Sequence, residues 1–497
     1  MTRCLDLVLN MDNPHSLMIV LPEVTLAVFG LLLLMIGLFD RANVALLTGI
    51  LTLVAFVVTA GVLVCPERLQ FAVSGYASFA FGSMFIDDGL ARFVKLLLLA
   101  SSGFSLLLSY SYLEQEKLAK PEYPVLILFA TLGMMLMVSA SDMISLYVGL
   151  ELQSLALYVL AAFNRDSAKS SEAGLKYFVL GALASGLLLY GISLIYGYAG
   201  STDFVNLAFA LRNAPPHTLG LTFGMVFICA ALAFKVSAVP LHMWTPDVYE
   251  GAPTPVTAFF SAGPKIAALA LFLRVLREPL LGLSSQWDQV IIFTAVASML
   301  IGCFAGLAQK NLKRLMAYSS IANVGFALTG LAVLSKSGLQ AMLIYLAIYF
   351  LNTLGAFGVI LCLRRQGKPV EQLSDIAGLS KTNPMLALAM TAFMFSLAGV
   401  PPLAGFFGKY FIFLAAVQAH MVPLAIIGVL TSVVSAFYYL RIIKLMYFDE
   451  ASSPIDPLPD FGVKVTVGVA AIYMIAFTIW PTPVIDGAMN AVNSFIR

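Results

Sequence analysis

The sequence predicts an all-α, polytopic membrane protein of about fourteen transmembrane helices. Three observations lead there. Hydrophobic residues fill 60% of the 497 positions and charged residues only 11%, whereas soluble domains carry about 25% charged residues. Apolar runs of about 20 residues recur from one end of the chain to the other, each long enough to cross a hydrocarbon core of about 30 Å. A backbone in lipid must satisfy its own hydrogen bonds, and such long uninterrupted runs do so as helices rather than as barrel strands.

In chain order the expected spans are 17–39, 43–65, 89–111, 123–140, 142–163, 172–198, 218–239, 255–276, 287–307, 313–335, 338–362, 384–418, 421–447 and 462–482. The first holds Pro22 and Glu23 and is closed by Asp40 and Arg41. It is too long for a signal-peptide core and no small-residue cleavage site follows, so it reads as a retained helix. The run 384–418 exceeds one straight span and is interrupted by Pro401 and Pro402. Between the sixth and seventh spans, Asn206 to Arg212 reads as a short surface helix ended by Pro215 and Pro216.

Basic residues set the orientation. One set of connections holds Arg41, Lys117, Lys120, Arg165, Lys169, Lys310, Lys313, Arg314, Arg364, Arg365, Lys368 and Lys381, with Arg441 and Lys444 near the same side. The opposite set holds Arg3, Arg68, Arg212, Arg274, Arg277, Lys336 and Arg497. A bias of about two to one places the first set in the cytoplasm and both termini outside.

Two places break the helical pattern alike. After Lys235 come Pro240, Pro246, Pro253 and Pro255; later come Gly399, Pro401, Pro402, Gly405 and Gly408. Proline removes a helix hydrogen bond, and a break at membrane depth is tolerated only where protein or water satisfies the freed groups. Two breaks five spans apart point to an internal repeat around a midplane ion site, the second unit inverted relative to the first. The single membrane domain 1–497 then divides into helices one to three (1–115), a first repeat (120–277), a second repeat (285–448) and a last helix (460–497).

Several functions drop out early. A net charge of +2 gives no electrostatic case for nucleic acid. Cys4, Cys65, Cys229, Cys303 and Cys362 lie far apart, reading as small packing residues rather than iron–sulfur or zinc ligands. No dinucleotide-binding or phosphate-loop glycine motif is present.

Most charges fall in connections, where they are solvated. Asp87, Asp88, Asp142, Glu172 and Lys176 fall at span ends, and Glu172 with Lys176 has the spacing of a local ion pair. Glu151, Lys235, Lys265 and Lys409 resist that explanation. Glu151 lies about ten residues from either end of its span, Lys265 lies inside the eighth, and Lys235 and Lys409 adjoin the two breaks. A charge at the bilayer centre costs about 2.5–3.5 kcal/mol even on the lenient insertion scale, so such residues are paired, hydrated or functional. An amine held from water loses its proton more readily, and a nearby carboxylate reverses that, which suits proton transfer. Tyr158, Tyr318 and Tyr349 are candidate hydroxyl relays, and His242 either joins the row or caps a helix end. His15, His217 and His420 read as loop residues.

At these residues the sequence becomes familiar. The strings LYVGLELQSLALYVLAAF around Glu151, SEAGLKYFVLGALASGLLLYGISLIYG from Ser171 and KVSAVPLHMWTPDVYEGAPTPVTAFFSAGPK from Lys235 resemble the subunit N family of bacterial NADH-quinone oxidoreductase, respiratory complex I. LAGVPPLAGFFGKYFIF and SAFYYLRIIKLMYF resemble the same family, and the likeness runs over nearly the whole chain. It implies fourteen helices of an antiporter-like fold, two inverted five-helix repeats, and discontinuous seventh and twelfth helices. Residue by residue it implies proton-relay roles for Glu151, Lys235, Lys265 and Lys409. It implies no cofactor here, with flavin, iron–sulfur clusters and quinone held by partner subunits. The implied partners are other membrane and peripheral subunits, especially neighbouring antiporter-like and small membrane subunits, together with lipids, in the bacterial inner membrane. Asn323 stands where antiporter-like relatives often carry histidine; it cannot carry a proton, so a relay there needs water or another side chain. The rivals are a subunit of a multisubunit cation/proton antiporter, which shares the fold, and a structural scaffold whose charges only lock helices together.

Overall fold

The computed structural model describes residues 14–39, 44–65, 78–212, 218–450, 455–456 and 461–496. Helices α1 (Pro14–Gly37) and α2 (Val44–Val64) precede an antiparallel hairpin, β1 (Ser78–Ala80) and β2 (Phe85–Asp87), and α3 (Gly89–Gln115). Next come α4 (Glu122–Val138), α5 (Met143–Ala161), α6 (Ala168–Ala199), the short α7 (Phe204–Arg212) and α8 (Leu219–Val236). The chain continues through α9 (Trp244–Gly251), α10 (Thr254–Ser261) and α11 (Gly263–Arg277). The rest comprises α12 (Ser284–Leu307), α13 (Leu312–Val333), α14 (Lys336–Cys362), α15 (Leu379–Thr382), α16 (Pro384–Ala398), α17 (Ala404–Gln418), α18 (Val422–Phe448), α19 (Phe461–Ile479) and α20 (Thr482–Phe495).

Twelve helical segments are long and apolar enough to cross a membrane. With α4 and the interrupted pair α16–α17 they give the fourteen expected crossings among the described residues. Caps set several starts. Asp88 accepts from the Ala91 amide at 2.7 Å, and Asp142 accepts from Ile144 at 2.7 Å and Ser145 at 3.2 Å, so both carboxylates satisfy orphan N–H groups. The breaks fall where proline predicted them. α8 stops at Val236 before a turn over 237–243, and α16 stops at Ala398 before a turn over 399–403.

Three features depart from expectation. The eighth span is not continuous: α10 ends at Ser261 and α11 begins at Gly263, with Ala262 non-helical at φ −114° and ψ −87°. The Gly263-Pro264 pair carried that signal, since proline suits a first helical turn. The hairpin β1–β2 is too short to leave a periodic pattern. Helix α20 packs on α3 and α14 through Ala488, Ala491 and Val492, an amphipathic face on a segment too polar to register as a span. His15 lies within α1 rather than in a loop, His420 is in a turn at φ 59°, and His217, Asp40 and Arg41 lie outside the described residues.

Helices α10, α11, α13 and α14 are buried almost throughout and form the inner column, while α1, α2, α18 and α19 turn broad faces outward. Ion pairs close the column at two ends. Arg274, fully buried, grips both Asp88 oxygens at 2.9 Å, Glu278 at 2.8 Å and the Val138 carbonyl at 3.0 Å. Near it Lys95 pairs with Glu23 at 2.7 Å, the two side chains 0 and 2% exposed, tying α3 to α1. At the other end Asp247 on α9 binds Lys176 of α6 at 2.8 Å and Arg314 of α13 at 2.9 Å. Lys176 also keeps its local pair with Glu172 at 2.7 Å.

A buried pair is weak evidence of net stability, yet breaking one strands a charge. Lys95→Met is expected to destabilise the protein by about 3–5 kcal/mol, and adding Glu23→Leu to recover most of it. Accumulation and thermal unfolding in membranes check this; equal losses in single and double variants would refute the pairing.

Candidate functional site

Glu151 sits mid-way along α5, with Ser154 and Tyr158 three and seven residues on along the same helix face. It is half-buried, and Ser185 of α6 donates to its Oε1. Lys235, in the last turn of α8, reaches the same face: its Nζ donates to Ser154 Oγ at 2.7 Å and to Tyr158 OH at 3.5 Å. Among the described residues no direct Glu151–Lys235 ion pair forms: Lys235 takes Ser154, Glu151 takes Ser185, and Ser154 donates to the Leu150 carbonyl. Gly181 of α6 lies against Tyr158, leaving the hydroxyl no room for a side chain there.

Lys265 lies three residues past the Ala262 interruption, so it too adjoins a break, contrary to its expected place inside a continuous span. Only 2% exposed, it donates to Ser320 Oγ of α13 and faces the Tyr249 ring at 5.3 Å. Tyr349 of α14 donates to the same Ser320 oxygen at 2.7 Å. One turn away Tyr345 stacks on Tyr349, centroids 6.2 Å apart, and donates to Asn323 Oδ1 at 2.5 Å. Asn323 Nδ2 donates in turn to the Ser319 carbonyl at 2.8 Å and to Tyr439 OH at 3.4 Å, and the Ser319 and Tyr439 hydroxyls hydrogen-bond to each other at 2.5 Å.

Lys409, on the second turn of α17, meets the second break. Its Nζ donates to the carbonyls of Leu397 and Ala398 at 2.8 and 3.3 Å and to Ser432 Oγ of α18 at 2.8 Å. Those carbonyls end α16, where the helix dipole is negative. Gly399, at φ +83°, makes the turn, and a Cβ there would come 3.1 Å from Lys409 Cδ. Ser432, Ser435 and Tyr439 share one face of α18, leading from Lys409 back toward Asn323. Beyond Lys409 opens a groove of about 710 Å3 whose walls, such as Phe406, Phe413 and Val429, are mainly apolar.

The row therefore contains two clusters, Glu151–Lys235 and Lys265–Asn323–Lys409. Between them stand the rings of Tyr158, Tyr177, Trp244 and Tyr249, with centroids 4.8, 4.4 and 6.5 Å apart in turn, and no hydrogen bond among the described residues bridges the gap. Ser237 Oγ, Thr245 Oγ1 and Tyr249 OH are buried there without a partner. His242 is half-buried on the break with an unpartnered Nδ1, and joins neither cluster. Tyr318 is half-buried and makes no hydrogen bond to the row. Sequence reasoning missed Ser154, Ser185, Ser320, Tyr345, Ser432 and Tyr439. Ser154 had a signal, its i+3 spacing from Glu151; the others meet their partners (Glu151 for Ser185, lysines for Ser320 and Ser432, Asn323 for Tyr345 and Tyr439) only through tertiary packing. Among the described residues no group of three or more His, Cys, Asp or Glu is placed to hold a metal.

Broken helices that turn freed carbonyls and hydroxyls toward buried lysines place the chain among polytopic membrane proteins built around a midplane polar row. The family profile described as NADH:quinone oxidoreductase/Mrp antiporter, TM matches residues 140–435, and the chain belongs to that family. It is 55% identical to NADH-quinone oxidoreductase subunit N of Rhodospirillum rubrum over 95% of this chain and 96% of that one. It resembles a chain of respiratory complex I from Thermus thermophilus with bound Aureothin, at TM-score 0.78 and 33% identity over 94% and 98% of the two chains. A chain of the Mrp complex from Dietzia sp. DQ12-45-1b shares the fold alone, at TM-score 0.83 and 20% identity over 97% of each.

Gly399→Ala combines a left-handed backbone, costing about 1–2 kcal/mol, with the crowding of Lys409. Gly200 has φ +69° but open space around it, so Gly200→Ala isolates the backbone part. Thermal unfolding should show the larger loss for Gly399→Ala; equal losses would mean the approach to Lys409 is slack.

Proposed function

We propose that the chain is a proton-translocating membrane subunit of NADH-quinone oxidoreductase, driven by electron transfer from NADH to quinone in other subunits. Glu151, Lys235, Lys265 and Lys409 are the proton-bearing groups. The observation that carries the reading is the line of contacts from Lys265 through Ser320, Tyr349, Tyr345 and Asn323 to Tyr439, in the buried centre of the bundle. A packing core has no use for so many polar groups, each costly to bury.

Each lysine works through an oxygen it already touches. A carboxylate drawn toward an amine strengthens the amine's hold on its proton, and one drawn away weakens it; Ser154, which accepts from Lys235 three residues along α5 from Glu151, is the point where that separation changes. Protons cross from Lys235 toward Lys265 by water held on Ser237, Thr245 and Tyr249, whose unpartnered hydroxyls require satisfaction. Tyr158 and Tyr349 assist at the cluster edges, and Tyr345 and Tyr439 carry the passage around Asn323. Tyr318 keeps no part in it.

The same reading treats 120–277 and 285–448 as inverted repeats, with 1–115 and 460–497 added outside them. It sets both termini in the periplasm of a bacterial inner membrane, from the distribution of basic residues. Neighbouring antiporter-like and small membrane subunits are its partners, and flavin, iron–sulfur clusters and quinone belong to other chains. Purification through a tag tests the assignment: flavin- and iron–sulfur-bearing subunits should accompany the chain, and a redox-free assembly would favour the cation/proton antiporter instead.

Lys265→Ala and Glu151→Ala are expected to leave assembly intact while lowering proton pumping and coupled turnover. Ser320→Ala should cut pumping about tenfold, the scale of one hydrogen bond to a charged group. Normal pumping by a fully assembled Glu151→Ala complex would sink the relay, and loss of assembly in Lys265→Ala would favour the scaffold.

A further inference from the structure

We propose that the chain holds one zwitterionic phosphoglycerolipid, of the phosphatidylethanolamine type, in a cleft between α2, α3 and the start of α19. A cavity of about 300 Å3 runs between these helices, its walls almost wholly apolar from Gly49 and Leu53 to Leu106 and Phe461. It shares Ala45, Leu46, Tyr110 and Ala119 with a more polar cavity of about 390 Å3 that carries Glu114. The two form one amphiphilic cleft with an oily shaft and a charged mouth.

The mouth selects the head group. Glu114 and Lys120 are exposed and make no ion pair among the described residues. Glu114 stands in the last turn of α3, whose carbonyls favour a cation; Lys120 stands just ahead of α4, whose N–H groups favour an anion. A phosphate at Lys120 with an ammonium at Glu114 matches both, whereas a purely anionic head leaves Glu114 opposed. Tyr123 supplies an independent sign: it lines the shaft, is 1% exposed, and its hydroxyl has no hydrogen-bond partner. That hydroxyl lies by Ser109, another residue of the shaft, and can donate to a glycerol ester carbonyl. Lipid tails are as apolar as leucine, so the shaft contributes shape and the charges contribute preference.

For the test, the chain is purified through its own tag in whatever assembly it brings. It is then reconstituted into phosphatidylethanolamine–phosphatidylglycerol vesicles in which one lipid or the other carries a photoreactive acyl chain. The phosphatidylethanolamine probe should label residues 45–53 and 106–124 about tenfold more strongly than the phosphatidylglycerol probe. A Cβ at Gly49 meets nothing nearer than Pro124 Cγ at 4.0 Å, so Gly49→Trp can fill the shaft and should abolish the label. Lys120→Glu should remove the preference. Equal labelling by both probes, or labelling that survives both substitutions, means exchangeable annular lipid only and overturns the proposal. Should Gly49→Trp fail to accumulate, the exposed Lys120→Glu carries the test alone. Labelling needs neither NADH nor quinone, so its failure is separate from failure of the proton-relay reading.

Discussion

An ammonium group inside a membrane must find oxygen, and a regular helix has none to offer. Its carbonyls are committed four residues along, so lysine is accommodated where a helix stops, a hydroxyl projects or, as at Lys95, a carboxylate is buried beside it. All three lysines of the row obey this. Lys235 ends α8, Lys265 follows the Ala262 interruption, and Lys409 turns back onto the last carbonyls of α16. The interruptions are costly in turn, since each frees backbone groups that lipid cannot satisfy. They survive where the freed groups turn inward: the Leu397 and Ala398 carbonyls take the Lys409 amine, and Ala262 is fully buried.

That requirement shapes the bundle around it. Helices α10, α11, α13 and α14 have no lipid face, and they supply Lys265, Ser320, Asn323, Tyr345 and Tyr349. The outer helices act as their solvent. Arg274 with Asp88 closes the column at one end, joining α11 to the start of α3, and Asp247 closes it at the other by holding α6 and α13 to the broken segment. Among the described residues none of the three pairs with a carboxylate: Lys235 and Lys265 donate to hydroxyls and lie by an aromatic ring, and Lys409 donates to two carbonyls and a serine.

Most of this architecture was legible because its signals are long or loud. Fourteen spans follow from apolar runs, and the breaks at 237–243 and 399–403 follow from clustered proline and glycine. The interruption at Ala262 was missed although Gly263-Pro264 announces it, because the apolar run continues on both sides and outweighs a two-residue signal. Helix α20 was missed for the opposite reason, being too polar to read as a span. In the site the charged residues stood out by their cost, while the oxygens that hold them did not. A serine such as Ser320 or Ser432 is common on membrane helices, and only the packing of α13 on α11, or α18 on α17, shows which one meets a lysine. Tyr318 and His242 were chosen by chemistry and position along the chain, and neither faces the row.

Asn323 has a consequence of its own. A hydroxyl can exchange donor and acceptor roles by rotating its hydrogen, so a line of serines and tyrosines has no built-in direction. A carboxamide cannot: Tyr345 points its hydrogen into the carbonyl end, and the amino end points onward to Tyr439. The side chain therefore fixes a dipole across the middle of the row. Under the proposed relay, a proton passing that point keeps to the hydroxyls of Tyr345 and Tyr439 on either side of it.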